Sequence, residues 1–154
     1  MKRIRVDAEA CTGCRTCELV CSYRHAGRFS PSLSRVTVIK EDRLGLDYPV
    51  MCHQCNLCTA QGACQTGVFT RNKEGVVEVE AGRCTGCGAC AAACRYGAVK
   101  VANSLALVCA LCGGEPICVA RCPTKALRYS EGVGEPEIPE TIFAALLRRW
   151  GIDG

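Results

Sequence analysis

Residues 11–21 read CTGCRTCELVC, and residues 84–94 repeat the same cysteine spacing as CTGCGACAAAC. This C-x2-C-x2-C-x3-C spacing lets a tight loop present three thiolates to one cubane iron–sulfur cluster. Two variant runs accompany it: residues 52–64 carry C-x2-C-x2-C-x5-C, and residues 109–123 carry C-x2-C-x5-C-x3-C-P. All 16 cysteines of the 154-residue chain fall into these runs, four in each, so the sequence predicts four 4Fe–4S clusters.

Zinc is the main alternative ligand for cysteine pairs of this kind. Structural zinc sites also use four cysteines, but commonly as two C-x2-C pairs separated by a longer loop. The third cysteine of a C-x2-C-x2-C triplet is placed for a corner of a cubane instead. Disulfides are disfavoured because Met1 to Asp7 does not resemble an export signal, and we therefore expect a cytoplasmic protein. The sequence has no run of about 18 apolar residues, so we expect no membrane span.

The composition leaves little apolar surface for an ordinary core. Hydrophobic residues make up 49% of the chain, but cysteine supplies many of them and aromatic residues only 5%. Small domains with so little apolar surface usually need disulfides or bound metals to be stable. Because metal-binding energy becomes folding energy where no site pre-exists, we expect the cluster-free chain to unfold or aggregate.

The formal charge of +4 is calculated with neutral thiols. Sixteen thiolates and four oxidised cubane cores would change the net charge to roughly −4. A basic surface for nucleic acid is therefore not predicted. We expect the basic residues beside the motifs to offset cluster charge or to meet an acidic partner; they are Arg15, Arg83, Arg95, Arg121 and Lys125.

A similar phrase follows the last cysteine of three runs: CQTGV from Cys64, CRYGA from Cys94 and CPTKA from Cys122. Each phrase predicts the end of a short helix and a turn into a strand, with Gly67 and Gly97 at positive φ. Alternating apolar residues predict strands at 3–6, 36–39, 76–79 and 99–101, with a hairpin turn at 73–75. The predicted fold class is α+β, with short strands and short helices around the clusters.

The span from Cys11 to Cys122 resembles the four-cluster polyferredoxin subunits of bacterial and archaeal oxidoreductases. The resemblance implies two ferredoxin modules of bacterial type, in which run one pairs with run four and run two with run three. The last cysteine of each run then ligates the partner cluster. The implied ligand sets are Cys11, Cys14, Cys17 and Cys122; Cys109, Cys112, Cys118 and Cys21; Cys52, Cys55, Cys58 and Cys94; and Cys84, Cys87, Cys90 and Cys64. A sequential pairing of runs one with two and three with four stays open.

The repeat and the composition set the predicted domain boundaries, and the resemblance implies how the runs combine into modules. Residues 1–130 form the four-cluster domain, with the inner module at 52–100 and an insertion at 22–51 that supplies a hairpin or a partner-facing loop. Residues 131–140 are rich in Glu, Gly and Pro and are interpreted as a linker. Residues 141–154 are predicted to form an amphipathic helix that closes over the chain's own core or docks on another subunit.

A more local resemblance covers residues 11–22, with His25, Phe29 and residues 31–35 following. This stretch of sequence is similar to the small iron–sulfur subunits that accompany tungsten-pterin enzymes of the aldehyde oxidoreductase type, including the benzoyl-CoA reductase branch. The resemblance implies a large tungsten-pterin catalytic partner, with an FAD- or NAD-binding subunit often beside it. In the polyferredoxin family the third cysteine of the second run usually stands later than Cys58.

The sequence shows no general acid–base pair, nucleophilic constellation or phosphate-binding loop. We therefore predict a non-catalytic subunit that carries electrons between a catalytic subunit and a flavin subunit or other redox partner. The alternatives are a free polyferredoxin that shuttles between enzymes, and the relay subunit of another Mo/W enzyme, a hydrogenase or a benzoyl-CoA reductase. Self-association into a longer array also stays open. Of the two histidines, His53 is expected to tune a cluster or to pack, and His25 to lie in a loop.

Overall fold

Short strands and helices alternate along the computed structural model, which describes residues 1–132 and 137–152. The predicted α+β class is confirmed. The strands are β1 (Lys2–Val6), β2 (Thr37–Glu41), β3 (Leu46–Val50), β4 (Phe69–Arg71), β5 (Val77–Val79), β6 (Lys100–Ala102), β7 (Leu105–Leu107) and β8 (Leu127–Glu131). The α-helices are α1 (Thr16–Ala26), α2 (Thr59–Gly62), α3 (Ala89–Ala93), α4 (Ile117–Ala120) and α5 (Pro139–Trp150). Residues 133–136 of the predicted linker and residues 153–154 of the terminal segment lie outside the described residues.

The strands form two-stranded antiparallel sheets, and the first of these joins distant parts of the chain. Strand β1 pairs with β8, with Ile4 opposite Tyr129, whereas β2–β3, β4–β5 and β6–β7 are pairs of consecutive strands. Run one follows β1 and run four precedes β8, so this pairing brings the first and last cysteine runs together. Helix α1 contacts α4 in the same way, and α2 contacts α3. Within the described ranges, no helix is long and apolar enough to cross a membrane.

The turns that follow the cysteine runs share one backbone conformation. Gly67 and Gly97 both have φ of 61°, which confirms the predicted left-handed turns. The equivalent position after Cys122 is Lys125, with φ of 57°. Three copies of the repeat therefore use the same turn, although this positive-φ conformation is more strained for lysine than for glycine.

The segment between runs one and two contains the β2–β3 hairpin, which is bonded to run one and to the strand that follows run three. The Val38 backbone N–H donates to the carboxylate of Glu18 at 2.7 Å, and Glu18 lies on α1 with only 1% of its surface exposed. The Lys100 ammonium donates to the Val36 carbonyl at 3.1 Å. Helix α1 itself continues to Ala26, so the predicted insertion at 22–51 begins inside a helix.

Cysteine side chains form part of the apolar cores, in line with the composition. The outer core contains four buried cysteines among aliphatic residues: Cys17, Cys21, Cys109 and Cys118 pack with Ile4, Val36, Val38, Met51, Val76, Leu111 and Leu127. A second core surrounds Cys90 with Ala60, Val68, Phe69, Val77, Val99, Ala106 and Val108. Filling the space between the sulfurs therefore completes the packing of both cores.

Helix α5 covers its own chain, which is the first of the two predicted arrangements. Ile142 and Phe143 pack against a buried group that contains Tyr48 and Tyr96. The Phe143 and Tyr48 rings meet edge to face, with their centroids 6.3 Å apart. The helix begins at Pro139, two residues before the predicted start, because proline is favoured in the first turn of a helix.

Replacing Phe143 by alanine should loosen α5 from the tyrosines beneath it. Loss of this half-buried ring is expected to cost about 2 kcal/mol, which corresponds to a fall in Tm on the order of 4–8 °C. Thermal unfolding of the anaerobic cluster-loaded protein measures the change. Trp150→Ala is the matched control, since Trp150 is 43% exposed at the end of the same helix and should leave Tm within about 2 °C. Equal effects of the two substitutions would contradict this packing.

Candidate iron–sulfur centres

Three cavities within the described residues are each lined by four cysteines. We call the groups site I (Cys11, Cys14, Cys17 and Cys122), site II (Cys52, Cys55, Cys58 and Cys94) and site III (Cys64, Cys84, Cys87 and Cys90). The cavities measure about 310, 410 and 290 Å³ respectively, including the part open to solvent. Each cavity therefore faces a complete group of four sulfurs.

The remaining cysteines, Cys21, Cys109, Cys112 and Cys118, form a fourth group, which we call site IV. Burial raises the pKa of Cys118 well above its ordinary value, and the charges of the other three cysteines raise it further. Burial also raises the pKa of Cys109 to about 12; the Leu111 backbone N–H opposes this change, and the charges of Cys21 and Cys112 add to it. These mutual effects show that the four sulfurs lie close together.

The same electrostatic effects connect cysteines of different runs in the other sites. Burial raises the pKa of Cys11, and the charge of Cys122 contributes to the increase. Burial also raises the pKa of Cys55 and of Cys90. The charge of Cys94 adds to the increase at Cys55, and the charge of Cys64 adds to the increase at Cys90. In each site, therefore, a sulfur from one run lies near the last cysteine of a run that is distant in sequence.

Effects between sites show which of them are neighbours. Burial is the main cause that raises the pKa of Cys118 in site IV, and the charge of Cys17 in site I adds to it. Burial likewise raises the pKa of Cys52 in site II, and the charge of Cys109 in site IV adds to it. Cys90 of site III and Cys94 of site II are separated by a single turn of α3. The packing agrees with these effects: Cys52 lies against the core that holds Cys17, Cys109 and Cys118, and also against the core around Cys90. This places the sites in the order I, IV, II, III.

Solvent exposure differs between the end sites and the middle sites. Cys14 of site I and Cys87 of site III are exposed, whereas every cysteine of sites II and IV is buried or half-buried. All sixteen cysteines are free of disulfides.

Backbone N–H groups point at many of the sulfurs. Arg35 donates to Cys21 at 3.3 Å, and Gln61, Ala98 and Ala106 donate to Cys58, Cys94 and Cys84 at 3.4 Å each. Such bonds favour the charged form of a thiol, and they tune the potential of an iron–sulfur cluster. The Gly13 backbone N–H also donates toward the sulfur of Cys11. Gly86 has a different role: an added Cβ would lie 2.6 Å from Ser104, so only glycine fits against the β6–β7 turn.

Threonine hydroxyls make a second kind of hydrogen bond at the sulfurs, which we did not predict from the sequence. The Cys14 thiol donates to Thr16 Oγ1 at 3.4 Å, and Cys64 and Thr66 lie 3.5 Å apart, where either group can donate. Once the thiol ionises, the sulfur accepts from the hydroxyl. In each case the hydroxyl is the largest cause that lowers the pKa of the thiol. The recurring Cys-x-Thr spacing, present again at Cys122, is the signal that could have revealed them.

The two histidines occupy different environments. His25 is not in a loop as predicted: it lies on the last turn of α1, where its Nε2 is 3.6 Å from the sulfur of Cys112. His53 is 6% exposed and packs edge to face on Tyr96 at 4.8 Å. Its Nε2 has no hydrogen-bond partner in the described parts of the chain, so the packing alternative holds for this residue.

Two of the predicted basic residues lie close to cysteines or their donors. The charge of Arg95 lowers the pKa of Cys55, opposing the increase due to burial. The Arg83 guanidinium donates to the Thr66 carbonyl at 2.6 Å and pairs with Glu80 at 3.2 Å. These contacts support the expectation that basic side chains offset negative charge at the sites.

The cysteine groups fit iron–sulfur clusters better than single metal ions. Within residues 1–132 and 137–152, no three His, Cys, Asp or Glu side chains converge closely enough to hold one ion. A zinc ion requires its sulfur ligands at about 2.3 Å from a common centre. A cubane instead holds its cysteines around a larger body, as the cavities at sites I, II and III do.

The sequence of the chain is similar to those of known iron–sulfur and electron transport proteins. The family described as "4Fe-4S binding domain" matches residues 3–26 and 76–99. YsaA of Escherichia coli, named as a candidate electron transport protein, is 38% identical over 139 residues, which cover 81% of this chain and 87% of YsaA. The polyferredoxin-like subunit of the aliphatic sulfonate oxidoreductase of Pyrococcus furiosus is 36% identical over 122 residues, covering 77% of this chain and 70% of that subunit.

A solved structure is similar over nearly the whole length. A chain of the BamBC active-site complex of benzoyl coenzyme A reductase aligns with a TM-score of 0.52 and 28% identity, covering 97% of this chain and 91% of that one. The identities, the matched cysteine motifs and the shared fold agree with one another. The chain therefore belongs to the family of 4Fe–4S polyferredoxin-like electron-transfer proteins.

Proposed function

We propose that this protein holds four 4Fe–4S clusters, at sites I to IV, and relays electrons to and from a catalytic subunit of an oxidoreductase complex. When bound, each cluster accepts and releases a single electron. The chain's own residues provide the sulfur ligands, exclude water and donate hydrogen bonds to the sulfurs.

The grouping of the cysteines is the observation that carries this proposal. Each site combines three cysteines of one run with the last cysteine of another, and the runs combine as one with four and two with three. This arrangement supports the nested pairing implied by the family resemblance. Sequential pairing would instead require Cys21 beside run two, whereas its charge acts on Cys109 and Cys118.

The order of the sites supports a path with two ends. Sites I and III lie at the ends of the row and have the exposed sulfurs Cys14 and Cys87. Sites II and IV lie between them, with less exposed sulfurs. Exchange with redox partners is therefore proposed at sites I and III, and transfer within the protein at sites IV and II.

A tungsten-pterin enzyme of the aldehyde oxidoreductase type is the proposed catalytic partner. Support comes from the motif resemblance at residues 11–35 and from the likeness to a chain of the BamBC complex. The Pyrococcus relative, a subunit of an oxidoreductase, also supports membership of a complex. A free carrier is the second candidate, and it is favoured by helix α5, which covers its own chain instead of extending toward a partner.

Purification of the chain from its native cells distinguishes these two candidates. We expect the chain to copurify with a large subunit that contains tungsten and pterin, as measured by mass spectrometry and metal analysis of the same chromatographic peak. Elution as an isolated monomer that carries all of its iron would favour the free carrier instead.

Replacing Cys94 by serine tests the pairing. Cys94 lines site II, so the substitution should alter or remove the EPR signal of that cluster and lower the iron content by up to about four atoms per chain. Cys64→Ser is the matched control, because Cys64 lines site III and should alter a different signal. Loss of the run-four signal on Cys94→Ser would establish the sequential pairing and reject the nested one.

Replacing Thr66 by valine tests how an end site is tuned. The hydroxyl stabilises extra negative charge on the Cys64 sulfur, so its loss should make the potential of the site III cluster more negative, on the order of 20–50 mV. Redox titration followed by EPR measures the shift. Thr70→Val, on the exposed strand β4, is the control and should leave every potential unchanged. An unchanged potential in the Thr66 variant would exclude this tuning.

A further inference from the structure

Gln54 lies at the junction between the two pairs of runs. Its side chain is completely buried, and both ends of its carboxamide are used. The amide nitrogen Nε2 donates to the Cys109 carbonyl at 2.6 Å, and Oε1 accepts from the Val77 backbone N–H at 2.7 Å. Cys109 belongs to run four, whereas Gln54 belongs to run two.

The backbone of the same residue contacts the neighbouring site. The Gln54 N–H donates to the sulfur of Cys52, which lowers the pKa of that thiol against the larger effect of burial. Gln54 has φ of 56°, in the left-handed region that few residues other than glycine adopt. Such a conformation persists where the surroundings fix it from several sides, as the three hydrogen bonds do here.

Gln54 therefore connects the two cysteines through which sites II and IV face each other. The charge of Cys109 acts on Cys52, and Cys52 packs against the core that contains Cys109, so sites II and IV are neighbours here. The bonds of Lys100 to the carbonyls of Pro31 and Val36 also tie the second half of the chain to the first, but they lie near the surface. The bonds of Gln54 are buried, where a hydrogen bond is not weakened by competing water.

We propose that Gln54 is a positioning residue that fixes the sulfur of Cys52 against the peptide of Cys109 and so sets the electronic coupling between sites IV and II. This inference rests on the cluster assignment proposed above. One electron that leaves site IV arrives at site II, so oxidation at one site is balanced by reduction at the other, and no proton is transferred. The transfer is sensitive to the separation of the sites, which the carboxamide holds constant.

An apolar side chain of similar length removes this connection. Gln54→Met keeps most of the volume but leaves the Cys109 carbonyl and the Val77 N–H without partners in a buried place. The junction then relaxes to satisfy these groups, because an unpaired buried polar group is costly. The ligand cysteines themselves are unchanged, so the variant should keep all of its iron.

The experiment compares the anaerobic cluster-loaded full chain with Gln54→Met, Gln54→Leu and Gln65→Met. Gln65 is the matched control, because it also lies beside a cysteine of the inner pair of runs but its side chain is exposed. Two quantities are measured, the magnetic interaction between reduced clusters by EPR power saturation, and the rate of electron exchange after flash reduction. Iron and sulfide contents are determined for every sample.

We expect the Gln54 variants to keep wild-type iron, to lose the magnetic interaction between sites IV and II, and to slow electron exchange about tenfold. The Gln65 variant should retain both properties. Full iron with unchanged magnetic interaction and rate in Gln54→Met would overturn the inference and leave the proposed function intact. Loss of iron from both Gln54 variants, with Gln65→Met still loaded, would assign the residue to cluster assembly and overturn it as well. Fewer than four clusters in the wild-type protein would contradict the proposed function itself.

Discussion

The completion of each cysteine group by a residue from a distant run is the constraint on which the rest of the fold depends. It requires β1 to lie beside β8 and α1 beside α4, although 120 residues separate the two strands in sequence and 90 separate the two helices. It also requires α2 to contact α3. The short strands close the turns around the sulfurs, and the β2–β3 hairpin fills the space between the two pairs of runs. Secondary structure is sparse because the sulfur groups occupy the positions that a conventional core would take.

Burial of the thiols makes the fold dependent on what they bind. Burial raises the pKa of Cys17, Cys52 and Cys109 to about 12, so these thiols are neutral at pH 7 when nothing is bound. A cationic cluster core stabilises the thiolates, and its binding releases their protons. Affinity for the clusters therefore increases with pH until the thiols ionise unaided. The N–H groups of Gly13, Leu111 and other residues assist, since each stabilises a negative sulfur.

The sequence allowed the four cysteine runs, four strands and the left-handed turns at Gly67 and Gly97 to be predicted, because each of these depends on local spacing. The grouping of cysteines from different runs was implied by the family resemblance. Strand β7 was missed because its three residues, Leu105–Leu107, are all apolar and show no alternation. The contact of His25 with Cys112 and the bridge from Gln54 to Cys109 join residues more than fifty positions apart. Such contacts cannot be predicted from local sequence patterns, because the partners come together only when the chain folds. The choice between a closed and an extended helix α5 likewise depended on Tyr48 and Tyr96, whose burial was not predictable from spacing.

We propose that iron–sulfur clusters occupy all four cysteine groups in one row. Anomalous X-ray scattering at the iron absorption edge, from crystals of the anaerobic protein, tests this most directly. We predict four separate iron peaks, each enclosed by the cysteines of one site, in the order I, IV, II, III. Fewer peaks, a different order, or scattering at the zinc edge from single ions would contradict it.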